Sequence, residues 1–166
     1  MKKRRAYQKL ILTAISVLFV GFIFSNSLFS GEVSGGKSKA LLQWLQNFFG
    51  SLGIPFGFTE HFLRKLGHFS EYFVLGCLLA VTIRQYRPKQ SFGIFIELFL
   101  LSFLPIVDEL IQLFVPGRGS SVADVLLDFC GGTVGMAITL LILWQCRRRK
   151  LRALLSGGET PAKGRN

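Results

Sequence analysis

The side chains able to do chemistry fall in three short stretches of this 166-residue chain. The first holds Arg64, Lys65, His68, Glu71 and Tyr72. The second holds Asp108, Glu109 and Gln112, with Arg118 just beyond. The third holds Asp124 and Asp128. Arg64, His68 and Glu71 or Tyr72 are spaced to share one stripe of a helix, and so are Asp108 with Gln112 and Asp124 with Asp128. His68 changes charge near neutral pH and suits general acid or base work. Glu71, Asp108 and Glu109 are the other catalytic candidates. Paired carboxylates can hold a divalent metal beside a phosphate, with Arg118 or Arg64 binding the anion. Oxygen-ligand sites have no strict sequence spacing, so the sequence leaves the metal and any cofactor undetermined. Lys65, Tyr72, Gln112, Asp124 and Asp128 complete the binding candidates.

Each feature also has a plainer explanation. Ser121-x-x-Asp124 has the spacing of a capping box, with Asp in place of the usual Glu. Asp124 then sits where a helix dipole favours a negative charge. Arg118 can pair with Asp124 or with Glu109. For the rest, the structural alternative is an internal ion-pair network. Arg64, Lys65 and Arg118 would answer the carboxylates and fix helix register, since leaving such groups buried and unpaired is costly.

The elements that carry these residues are membrane helices. Half of the residues are hydrophobic, seventeen are Phe, and yet the net charge is +11. The charges cluster at the ends of apolar runs, as a bilayer requires. A hydrocarbon core about 30 Å thick needs roughly 20 apolar residues of helix. Four runs meet that need: Leu10 to Phe29, Leu66 to Ile83, Ser91 to Val115 and Val122 to Gln145. They are too long and too continuously apolar for barrel strands. The expected fold is all-α, a polytopic four-helix membrane bundle over residues 10–144. Basic segments 1–9 and 145–166 flank it.

Basic residues set the orientation. Lys2, Lys3, Arg4, Arg5 and Lys9 precede the first run, and Arg84, Arg87 and Lys89 follow the second. Arg147 to Lys150, Arg152, Lys163 and Arg165 follow the fourth. Lys37, Lys39, Arg64, Lys65 and Arg118 fall on the opposite side. The positive-inside rule then places both termini in the cytoplasm of a multi-pass protein of the cell membrane. The basic tails read as topology signals and contacts to anionic lipid, not as a nucleic-acid site. A cleaved secretory signal is the rival explanation of the first run. Ser25 and Ser27 supply small residues, but the run exceeds the usual signal length.

Orientation brings the polar stretches to one depth. The second and fourth runs enter from outside and the third exits there, so all three deliver polar residues to the outer leaflet. Glu97 lies nearer the cytoplasm, about 9 Å from Ser91, and is expected to reach the interface or pair with a basic loop residue. A carboxylate deep in a bilayer is expensive, so a polar pocket opening outward is the economical arrangement. The first run looks mainly like an anchor.

Local signals complete the outline. Gly31 to Gly36 reads as a flexible stretch. Ala40 to Phe49 reads as a short helix lying in the outer interface, with Trp44 at headgroup depth; a substrate lid is its functional alternative. Gly50 to Gly57, with Pro55, ends that helix. Thr59 caps the next, with Glu60 in its first turn. Pro105 is expected to kink the third span. Gly131 and Gly135 form a small-xxx-small pair for close helix packing. Cys77, Cys130 and Cys146 show no metal-ligand spacing and no disulfide framework.

Three segments resemble one family. Arg64 to Tyr72 resembles the K-x-x-H-x-x-E-Y segment of the VanZ-like membrane proteins. Asp108 to Arg118 resembles their D-E-x-x-Q-x-F-x-P-x-R segment. Ser120 to Asp124, with Asp128, Gly131 and Gly135, resembles their final helix. The likeness runs from about Phe24 to Leu140. Asp128 departs from the amide that many members carry there. The resemblance implies a protein of the Gram-positive bacterial cell envelope, linked to teicoplanin-type glycopeptide antibiotic resistance or cell-surface homeostasis. It supplies no reaction. Two alternatives stay open. One is a membrane-embedded, metal-dependent enzyme acting on a lipid-linked or cell-wall precursor. The other is a small binder or transporter of a lipid, solute or glycopeptide, although no inverted repeat supports transport.

Overall fold

The computed structural model describes residues 2–54 and 57–156. Pro55, Lys163 and Arg165 lie outside the described residues. Among the described residues the chain is all-helical, with no strand. The helices are α1 (Lys2–Ser27), α2 (Gly31–Ser51), α3 (Glu60–Gln85), α4 (Gln90–Leu113) and α5 (Val122–Ser156). Three of them are long and apolar enough to cross a membrane: α1, α3 and α5. Their outward faces carry Leu10, Leu18, Val74, Leu126 and Leu141, and α4 adds Phe95, Phe99 and Phe103, all exposed. Apolar surface this continuous belongs against lipid.

Helix α3 is the hub, touching α1, α2, α4 and α5. Its closest neighbour is α5, and small residues make that approach possible. A side chain at Gly135 would overlap the carbonyl of Phe73, and one at Gly76 would overlap the carbonyl of Gly132. The Gly131/Gly135 spacing therefore does close the packing seam. Within a bilayer such backbone proximity gains dispersion contacts where water supplies no drive for association. Tyr72, Leu75, Leu79, Leu101 and Met136 fill the core on the same seam, joined by Ile23 of α1. Ser16 and Thr82 share a 2.9 Å hydrogen bond that ties α1 to α3.

Two local signals behave as the sequence suggests. Thr59 caps α3, its hydroxyl accepting from Phe62 N at 3.2 Å, and Glu60 stands in the first turn. The cysteines are all free; the Cys77 thiol donates to Gly135 O at 3.4 Å.

Other boundaries differ from the sequence outline. Gly31 to Gly36 is not a flexible stretch; it forms the opening turns of α2. Ser30 caps that helix, Glu32 favours its first turn, and Gly31 N donates to Pro116 O at 3.1 Å. Gly31 is there for proximity, since any side chain would overlap the carbonyl of Gly117, itself at φ +73°. The first helix stops at Ser27, not Phe29. The last one runs past Gln145 to Ser156, carrying Arg147 to Lys150 and Arg152 out as exposed helix. Pro105 is buried inside a single continuous α4.

Candidate functional site

The site forms where the N-terminal turns of α3 and α5 meet the C-terminal turns of α1 and α4. Helical spacing on α3 aims His68 and Tyr72 inward on one stripe, one turn apart. Asp108 and Gln112 do the same on α4. On α5, Asp128 lies one turn past Asp124 and so falls deeper in the packed interior.

At the centre, His68, Asp108 and Asp128 each present one ligand-capable atom, and these atoms lie within 4.8 Å of one another. Asp108 and Asp128 are 0% exposed, as is Tyr72 beside them. Several of these polar atoms are buried with no hydrogen-bond partner. They are His68 Nδ1, the Tyr72 hydroxyl, Asp108 Oδ1 and both Asp128 carboxylate oxygens. The other Asp108 oxygen is held: Gln112 Nε2 donates to Oδ2 at 3.2 Å and to Ser27 Oγ, also at 3.2 Å. Buried polar groups are ordinarily satisfied, so a cluster of unsatisfied ones marks this position as exceptional.

The surrounding residues are otherwise engaged. Glu71 accepts from Asn26 Nδ2 at 2.8 Å. Glu109, almost wholly buried, accepts from Ser121 N at 2.8 Å. The capping-box idea is therefore half right. Ser121 Oγ does accept from Ala123 N at 3.2 Å. The return bond to Ser121 N comes from Glu109 on α4, and Asp124 instead pairs with Lys65 at 3.0 Å. Arg118 pairs with neither Asp124 nor Glu109 among the described residues. Its Nε donates to Phe29 O at 3.0 Å and Nη2 to Asn26 O at 3.1 Å. A carbonyl has room for two acceptances, so Asn26 O takes Arg118 as well as Phe29 N, and a guanidinium fork suits such backbone oxygens at a helix end. Burial pushes the Arg118 guanidinium below its usual range, against the opposing pull of Asp108, Glu109 and Glu71. Arg64 lies 3.4 Å from His61 through Nη2 and Nδ1.

The ion-pair network that the charges permit is thus not formed at the centre. Lys65 answers Asp124 at the periphery. No described Lys or Arg forms an ion pair with Asp108 or Asp128.

Two cavities adjoin the cluster, and His68 lines both. The larger, about 230 Å³, brings together Asn26 of α1, Lys37 of α2, Arg64, His68 and Glu71 of α3, and Arg118. The smaller, about 40 Å³, is bordered by His61, Lys65, Glu109, Gln112 and Asp124. Cationic groups from three segments therefore surround the larger space, with His68 joining it to the buried carboxylates.

The first helix is more than an anchor. Asn26 and Ser27 position Glu71, Gln112 and Arg118, and Ser27 is 0% exposed. The signal in the sequence was the polar Ser25-Asn26-Ser27 run that closes the first apolar stretch. Lys37, Ser38 and His61 are likewise lining residues outside the candidate set. Glu97 meets its expected basic partner, pairing with Arg84 at 3.2 Å far from this site.

The family model described as VanZ/LLP1 matches residues 10–144. That range includes all five helices in whole or part and every residue of the site. No curated protein and no solved structure matches the chain.

Proposed function

The chain belongs to the VanZ/LLP1 family, and from that premise we propose that it serves the outer face of a bacterial cell membrane. In this proposal its cationic cleft engages an anionic, lipid-linked envelope precursor and lowers sensitivity to glycopeptides of the teicoplanin type. Helix α4 joins α1, α3 and α5 as a fourth membrane-crossing helix, third in chain order, both termini are cytoplasmic, and α2 lies in the outer interface. Three features support that topology. Helix α4 has 24 residues, its apolar side chains face outward, and its one buried carboxylate below Asp108 is neutralised by Arg84. The exposed basic end of α5 and the basic start of α1 obey the positive-inside rule. Trp44, Phe48 and Leu41 lie exposed on α2, which has no buried residue.

One observation carries the functional part: Lys37, Arg64 and Arg118 come from separate segments to line one cavity of about 230 Å³. Arg64 can meet a phosphate with paired hydrogen bonds, Arg118 adds its charge while two of its donors hold Phe29 O and Asn26 O, and a headgroup can enter from the lipid side. The test is expression in a teicoplanin-susceptible bacterium. The wild-type chain should raise the inhibitory concentration. Arg64→Glu should abolish that rise while the protein still accumulates in the membrane. Full protection by the accumulated variant would refute the reading. Topology is checked by labelling single cysteines at Lys37 and Arg149, in a background lacking Cys77, Cys130 and Cys146. Only position 37 should react from outside.

A second reading, an enzyme acting on the same class of precursor, has its own support. His68 stands between the cleft and two buried carboxylates, the groups that general acid–base chemistry requires. It predicts turnover of a lipid-linked phosphate by purified protein, abolished in Asp108→Asn.

A further inference from the structure

The unsatisfied atoms of the central cluster share a geometry that points to a ligand. His68, Asp108 and Asp128 come from three different helices, yet their ligand-capable atoms fall within 4.8 Å of one another. Bonds of about 2.0–2.2 Å to a common ion place its ligands at most about 4.4 Å apart. Small side-chain rotations close the set. A second observation is independent of the carboxylates. The Tyr72 hydroxyl is 0% exposed and has no hydrogen-bond partner, and it stands within electrostatic reach of Asp108, Asp128, Glu71 and Glu109.

We propose that His68, Asp108 and Asp128 form a divalent transition-metal site, taking Zn²⁺ or Mn²⁺, at the base of the cationic cleft. The donor set selects the ion class. One imidazole nitrogen with two carboxylates suits Zn²⁺ or Mn²⁺, whereas Mg²⁺ and Ca²⁺ prefer oxygen alone. The supporting bonds are in place. Gln112, itself held on Ser27, fixes Asp108 Oδ2 and leaves Oδ1 free to bind. Such outer partners orient a ligand and raise metal affinity. The cation would also offset the charge of two carboxylates that no Lys or Arg pairs with among the described residues. Of the three ligands His68 alone lines the cleft, so a further ligand would approach past it. A metal facing Arg64 and Arg118 is complementary to a phosphate oxygen.

This site rests on the proposed cleft for its substrate but not for its ion, so the two can be tested apart. The full chain is purified in lipid nanodiscs, stripped with chelator, and titrated with Zn²⁺, Mn²⁺ and Mg²⁺. Bound metal is counted by mass spectrometry, and binding is followed by calorimetry. The expected result is one Zn²⁺ or Mn²⁺ per chain, with Mg²⁺ failing to compete. Asp128→Asn and His68→Gln should each weaken affinity by at least about 100-fold, the upper end of what losing an outer partner costs. Gln112→Ala should weaken it by about 10–100-fold. Lys39→Ala, at an exposed position of α2 that lines neither cavity, should bind as wild type. Absence of stoichiometric metal from the folded wild-type chain would overturn the proposal, leaving a carboxylate pair that shares a proton. Unchanged affinity in both Asp128→Asn and His68→Gln would overturn it too. Labelling that places Lys37 inside would refute the cleft's orientation and leave the ion count standing.

Discussion

The two ends of α3 treat buried carboxylates in opposite ways. Near its C-terminus, Glu97 of α4 is 0% exposed and meets Arg84 twice, at 3.2 and 3.4 Å. Gly93 makes room for that guanidinium, since a side chain there would press on Arg84 Nη1. Near its N-terminus, Asp108 and Asp128 are as deeply buried and have no such cation. The contrast shows that the chain can neutralise a buried carboxylate when structure requires it. The centre of the candidate site is left unneutralised in the same bundle, next to a cleft lined by cations. On the proposed reading these two carboxyls are kept for function at a cost to stability.

The comparison can be broken in order of expected effect. Arg84→Ala leaves Glu97 buried and alone, and should cost about 3–5 kcal/mol; unfolding in detergent and membrane accumulation will read this. Gly135→Val drives a side chain into the Phe73 carbonyl on the α3–α5 seam. Overpacking of this kind should cost about 1–3 kcal/mol, seen as a lowered thermal midpoint. Glu109→Ala strips the acceptor from Ser121 N at the start of α5. That change should cost about 1–2 kcal/mol, with local amide exchange around residue 121 quickening first. Lys65→Ala removes a pair whose two side chains are 35% and 30% exposed, and should change stability by less than about 1 kcal/mol.

These expectations draw on features of unequal visibility in the sequence. The apolar runs, the Thr59 cap and the Gly131/Gly135 spacing are legible because each works within one helix or follows from bilayer thickness. That three helices would bring polar stripes together was legible too, from the spacing within each stretch, but that His68, Asp108 and Asp128 form the innermost set was not. Partners were not. Glu109 capping α5, Arg118 holding the carbonyls of Asn26 and Phe29, and Asn26 bonding Glu71 all depend on how loops and helix ends meet in space. Charge complementarity alone suggested Arg118 with a carboxylate. Backbone carbonyls at and just past the end of α1, which carry no charge and leave no trace in composition, took it instead. Likewise Gly31 looked flexible because its packing neighbour, Gly117, lies far along the chain.

The most direct test of the contrast is the thermal midpoint of Asp128→Asn against wild type, in nanodiscs free of divalent metal. A residue kept for function at a cost to the fold should give a variant at least as stable as wild type, because an amide replaces a buried carboxyl that has no partner. A fall comparable to that of Arg84→Ala would contradict the account. It would make the cluster a structural element like the Arg84–Glu97 pair.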